Sequence, residues 1–117
     1  MKFKKKIGKE LLFDVALFML EIMLISLLYN YNILLLGATF IIILIANRFW
    51  YKPYELYFLI AGAVVGPVAE IISIYFGAWA YTNPTILGIP IWLPLAWGLA
   101  TMLIKRIAEI FVKIEIR

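Results

Sequence analysis

The chain has no cysteine and no histidine. Without cysteine there is no disulfide framework, no thiolate nucleophile, and no Cys-ligated zinc or iron–sulfur site. Without histidine the commonest general base, metal ligand and haem axial ligand are all absent. Gly-rich phosphate loops and Asp-rich clusters of the kind that chelate magnesium diphosphate are missing too, so neither a metal nor any other cofactor is expected. Charge is also scarce: Asp, Glu, Lys and Arg together make up 15% of 117 residues, where about 25% is usual.

Apolar residues fill the space that charge leaves. They reach 66%, against roughly 45–50% in an average soluble domain. The mean hydropathy is +1.01. A single domain of this length has too little interior to hide that much apolar surface from water. This excludes a soluble enzyme, a DNA-binding module and a disordered chain, and points to an all-α integral membrane protein. The net charge of +4 does not point to nucleic acid, because the basic residues sit at segment ends where topology explains them.

Four apolar segments stand out, at about 11–29, 33–49, 54–76 and 86–104. A helix crossing a ~30 Å hydrocarbon core needs about 20 residues, with ~17–25 tolerated. The runs are too long and too evenly apolar for alternating barrel strands. Four transmembrane helices in one domain, 1–117, are therefore expected, in the cell membrane, with the bilayer itself as partner. Phe49, Trp50 and Tyr51 suit the interface at the end of the second segment. Pro90 and Pro94 make the start of the fourth irregular. The basic head 1–10 and the apolar run after it resemble the charged and hydrophobic regions of a signal peptide. Asp14 and Glu21 interrupt that run and no small-x-small site follows Tyr29, so a retained span is expected.

Orientation follows from the cations. Lys2, Lys4, Lys5, Lys6 and Lys9 precede the first segment, Arg48 and Lys52 separate the second from the third, and Lys105, Arg106, Lys113 and Arg117 follow the fourth. All 11 Lys and Arg thus fall on one side of a four-span arrangement, which places both termini in the cytoplasm. The tail 105–117 gathers Ile107, Ile110, Phe111 and Ile114 on one helical face, with Lys105, Arg106, Glu109 and Lys113 largely off it. No breaker separates Leu103 from Ile107, so an amphipathic continuation of the fourth helix is expected ahead of a separate segment lying on the membrane.

Ionisable groups within apolar spans are candidates for function. Asp14 and Glu21 share a face of the first helix. At ~1.5 Å per residue Glu21 lies about 15 Å in, near the midplane, whereas Asp14 is close enough to the interface to snorkel. Glu70 follows Gly62 and Gly66 at four-residue spacing. The Gly62-x-x-x-Gly66 motif permits close helix packing, so Glu70 should face a neighbouring helix about 24 Å along its own. Pro67 should free a backbone carbonyl and kink that helix. No Lys or Arg lies at matching depth, so these acids are expected to lack a cationic partner. Their neutral forms are then favoured, satisfied by Ser26, Thr39, Ser73, Tyr57 or Tyr75. A buried neutral acid can donate or relay a proton, which makes Glu70 and Glu21 the candidate catalytic residues.

Residues 77–97 carry Trp79, Tyr81, Trp92 and Trp97, an aromatic belt at the outer interface stiffened by Asn83-Pro84, Gly88 and Pro90. Such a mouth beside Glu70 could grip a long apolar ligand and stabilise positive charge over its ring faces. Glu70, Gly77, Trp79 and Tyr81, followed by Leu87-Gly88-Ile89-Pro90 and Pro94-Leu95-Ala96-Trp97, resemble the core pattern of membrane carotenoid-biosynthesis proteins, of the hydratase type or the lycopene-cyclase-domain type. The resemblance covers about residues 66–97. It implies a multi-helix protein acting on isoprenoid polyenes by proton-initiated chemistry, with Glu70 as proton donor. Where the cyclase pattern has a carboxylate pair, this chain has Trp92 and Leu93. The hydratase type is about twice as long, so a homodimer would supply the missing helices.

Three functions stay open at this point. The first is binding or modifying an isoprenoid-like lipid, with Trp79, Tyr81, Trp92 and Trp97 lining the groove. The second is a dimeric proton- or cation-coupled transporter that uses Asp14, Glu21 and Glu70 as a relay. The third is a non-catalytic subunit that packs through Gly62 and Gly66.

Overall fold

Long apolar runs with few breakers form helices because no backbone polar group can be left unpaired away from water. A computed structural model describes residues 2–49 and 52–116. It contains four helices: α1 (Lys2–Leu28), α2 (Asn32–Arg48), α3 (Glu55–Tyr75) and α4 (Leu93–Ile116). No strand occurs among the described residues, and the sole sheet-like element is an isolated bridge between Ile86 and Ile89. Two helices, Lys5–Leu28 and Glu55–Tyr75, are long and apolar enough to cross a membrane, and α2 is a shorter apolar helix. Trp50, Tyr51 and Arg117 lie outside the described residues, and with them two of the aromatics assigned to the interface.

The helix limits differ from the apolar segments for identifiable reasons. The basic head contains no proline and its one glycine, Gly8, does not interrupt the helix, so α1 extends back to Lys2. α3 runs through Pro67 without a break and ends at Tyr75, and Gly77, two residues on, has a φ of +83° that suits the left-handed position after a helix. The Ala78 N–H reaches the Ser73 carbonyl and the Gly77 N–H reaches that of Ile74, both at 3.0 Å. This pairing satisfies the last carbonyls of α3. The fourth helix starts at Leu93 and not at 86, because residues 85–92 are spent on a tight reversal. Leu87 (φ 50°) and Gly88 (φ 87°) both take positive φ, and Ile86 and Ile89 exchange backbone bonds at 2.9 and 3.0 Å. These are the features of a two-residue hairpin turn. α4 then continues without interruption to Ile116.

α4 is the central element. It packs on α1, α2 and α3, whereas α3 makes close backbone approach to α4 alone. Glycine sets that approach. A Cβ on Gly62 would lie 2.7 Å from the Trp97 carbonyl oxygen, one on Gly66 would enter the Trp97 indole, and one on Gly98 would lie 2.7 Å from the Leu59 carbonyl oxygen. Backbones meet this closely only where side chains are missing.

Leu17, Ile42, Ile43, Ala46, Leu99, Met102 and Leu103 form one core cluster; Leu35, Ile89, Trp92, Leu93 and Ala96 form the other. The buried stripe of α4 is therefore Leu99, Met102, Leu103, Arg106 and Ile110. This corrects the face read from the sequence: Arg106 points inward, while Phe111 and Ile114 stand exposed. Large apolar side chains also cover the outside of the bundle, while several charged groups lie inside it beside the apolar clusters. Leu12 (71%) and Ile33 (74%) are largely exposed, while Glu55 (0%) and Asp14 (2%) are sealed inside. A protein folded in water rarely leaves so many large apolar side chains outside while sealing charged ones within.

Candidate functional site

Two polar clusters lie inside the bundle. The first gathers around Arg106. Its Nε donates to Glu55 Oε2 at 2.6 Å and its Nη2 to Glu55 Oε1 at 3.0 Å, a bidentate fork. Nη2 also donates to the Ala46 carbonyl at 2.8 Å, and Nη1 lies 3.4 Å from Asp14 Oδ1. Asp14 comes from α1, Ala46 from α2, Glu55 from α3 and Arg106 from α4, so one guanidinium joins all four helices. The local causes are clear. Ala46 is in the last turn of α2, where carbonyls have no helical partner. Glu55 opens α3, where a carboxylate opposes the helix dipole, and it also accepts the Lys52 N–H at 2.9 Å. Lys105 extends the cluster, 2.7 Å from Glu109 and 3.9 Å from the Tyr54 ring centroid.

For Asp14 this arrangement corrects the expectation that the submerged acids lack a cationic partner, whereas Glu21 and Glu70 have no ion pair among the described residues. Asp14 is not a snorkelling end group but one arm of a buried ion network. Periodicity could not have revealed that pairing, since Asp14 and Arg106 are 92 positions apart.

Glu21 and Glu70 are held differently. Thr39 donates to Glu21 Oε2 at 2.8 Å, and Glu21 Oε1 is buried with no partner. Thr39 is thus the one expected hydroxyl that reaches an acid. Ser26 and Ser73 bond instead to carbonyls one turn back in their own helices, and Tyr57 and Tyr75 are exposed. No hydrogen bond among the described residues joins Asp14, Glu21 and Glu70 directly.

Glu70 accepts from two donors, the Tyr81 hydroxyl at Oε1 and the Trp97 indole N–H at Oε2. Burial, and then the hydrogen bond to Glu70, raise the Tyr81 phenol above its ordinary pKa, so it stays a donor through the physiological range. In this geometry the hydrogens reach Glu70 from its neighbours. A role as proton donor would require it to bring its own.

Glu70, Tyr81, Trp92 and Trp97 line a groove of about 280 Å³ with Ile25, Leu93, Ala96 and Ala100. Trp79, placed in the groove from sequence, is 48% exposed and does not line it. A second recess of about 170 Å³ shares Ile25, Tyr81 and Trp92 with the first and is rimmed by Tyr29, Thr82 and Asn83. The edge-to-face pair Tyr81–Trp92, centroids 6.2 Å apart, stands at their junction. Gly62 and Gly66 border a separate apolar groove of about 360 Å³ on the other side of Trp97.

Asn32, not among the candidates singled out from the sequence, holds the loop in place. Its Nδ2 donates to the Asn83 carbonyl at 3.0 Å and to Thr85 Oγ1 at 3.1 Å, and its Oδ1 accepts from the Trp92 indole at 3.2 Å. A lone amide at the start of an apolar helix was the available signal. Asn32→Leu is expected to cost about 1–3 kcal/mol, because the buried Trp92 N–H loses its acceptor. Thermal unfolding in detergent should show the loss, and limited proteolysis should cut the 77–92 loop faster than in the wild type. No family model, curated protein or solved structure matches this chain.

Proposed function

We propose that the protein is a four-span protein of the cell membrane, both termini cytoplasmic, that binds an isoprenoid-type lipid in the groove beneath the aromatic loop. Three features support the membrane reading. The apolar windows of α1 and α3 are only 17% buried within the bundle, so their side chains need an apolar solvent. α2, at 17 residues, reaches the lower end of spanning length. Lys52, Lys105, Arg106 and Lys113 form ion pairs between separate elements, with Glu109, Glu55 and Glu10, at a single end of the bundle, which fits a one-sided distribution of cations.

The observation that carries the binding reading is the groove itself, apolar on every side except for one fixed carboxylate. Small-molecule sites have this character, mostly apolar with a few placed polar groups. Its volume is slightly below the ~300–1,000 Å³ of whole-ligand sites. A long chain would therefore place one end in the groove and run the remainder along the exposed apolar faces of α3 and α4. Because Glu70 receives hydrogens, binding is favoured over proton-initiated chemistry.

Mass spectrometry of lipids retained after gentle detergent extraction tests this. An isoprenoid-type lipid should be enriched over the bulk membrane, and Trp97→Ala, which removes a groove wall and a donor to Glu70, should reduce that enrichment at least several-fold. A retained lipid profile identical to the bulk membrane would overturn the reading.

A further inference from the structure

The balance of donors and acceptors in the groove restricts what its ligand can carry. Three side chains lining it bear an N–H or O–H, and each is already spent: Tyr81 and Trp97 on Glu70, Trp92 on Asn32. The lining contains no Lys or Arg. Leu93 and Ala96 use their backbone N–H groups on the Pro90 and Trp92 carbonyls at 3.1 and 3.0 Å. The groove therefore has no free side-chain donor to offer.

It does offer acceptors. Each Glu70 oxygen takes one bond from the protein, and a carboxylate oxygen has room for about two. The carboxylate is buried and lies in the wall of an apolar cavity, where an unmet acceptor is costly and a matching donor is strongly favoured. A phosphate or carboxylate brought to the same point would meet acceptor oxygens with no free donor to offset them.

We infer that the groove selects an isoprenoid-type chain ending in a hydrogen-bond donor, a hydroxyl, and excludes the phosphate ester of the same chain. This rests on the lipid-binding reading above and adds the chemistry of the ligand's polar end. It also assigns Glu70 a definite task, accepting the ligand's hydroxyl hydrogen while Tyr81 and Trp97 fix its two oxygens.

The test compares a twenty-carbon prenol, its monophosphate and the parent hydrocarbon, each titrated into the detergent-purified protein. Fluorescence of the groove tryptophans reports occupancy, and native mass spectrometry confirms stoichiometry. The prenol is expected to bind about tenfold or more tighter than either competitor, the gain of one hydrogen bond to a buried acceptor. Glu70→Gln, which places an amide donor in the groove, should narrow the gap between prenol and phosphate. The ranking on the wild-type protein decides the matter even if that variant fails to fold. Phosphate or hydrocarbon binding as tight as the prenol would overturn the selectivity and leave lipid binding standing. Failure of all three to bind would overturn the lipid-binding reading, and the inference with it.

Discussion

Arg106→Met is expected to destabilise the bundle by about 3–5 kcal/mol, the usual cost of removing one partner from a buried ion network. The guanidinium is 4% exposed and makes four contacts of 3.4 Å or less. Methionine would fill much of its volume but none of its bonds. Glu55 and Asp14 would then face each other with no guanidinium between them, and only Lys105, 3.8 Å from Glu55, would remain nearby. Arg106→Lys should rescue part of the loss, because an ammonium keeps the charge but cannot present a planar fork to Glu55 while reaching Ala46. Combining Arg106→Met with Asp14→Leu and Glu55→Met should recover most of the stability, since replacing every member by apolar groups removes the unpaired charges. Thermal unfolding of the detergent-solubilised variants checks the series. A single Arg106→Met variant as stable as the wild type would show that the network does not hold the four helices together.

Gly66→Ala should be nearly as harmful, although it adds only one methyl group. Its Cβ would fall within the Trp97 indole, so either α3 separates from α4 or Trp97 turns away. Overpacking of this kind costs about 1–3 kcal/mol. Displacing Trp97 also removes a hydrogen bond to Glu70, so the groove should change together with stability. Gly37→Ala is the matched control. It lies within α2 with no atom inside 4 Å of the added carbon, and there alanine should stabilise by roughly 0.5–1 kcal/mol. Unfolding temperature and tryptophan emission, measured on both variants, should move in opposite directions for stability and change emission only for Gly66→Ala. Equal behaviour of the two would mean that α3 and α4 do not meet at Gly66.

The helices were legible because apolar length is a strong signal and their interiors contain few breakers. The start of α4 was not, because Leu87 takes a positive φ that glycine or asparagine would have signalled more openly. The orientation of α4 was ambiguous for a different reason. Ile107, Ile110, Phe111 and Ile114 make one helical stripe, and Met102, Leu103, Arg106 and Ile110 make another at the same period. Hydropathy favours the first, whereas the pairing available to Arg106 selects the second. Glu70, Tyr81, Trp92 and Trp97 could be singled out from the sequence as a group. Their hydrogen bonds could not, since those depend on how the Leu87-Gly88 reversal and Asn32 return the loop to the bundle.

The Arg106 contacts also set an order of assembly. Synthesis proceeds from α1 to α4, and the guanidinium that neutralises Asp14 and Glu55 belongs to the last helix made. Until that helix docks, the growing chain holds two acids with no counter-ion of their own among the earlier helices' contacts. The cluster is therefore complete only when α4 is in place, and a chain truncated before α4 should leave Asp14 and Glu55 without the guanidinium that joins them.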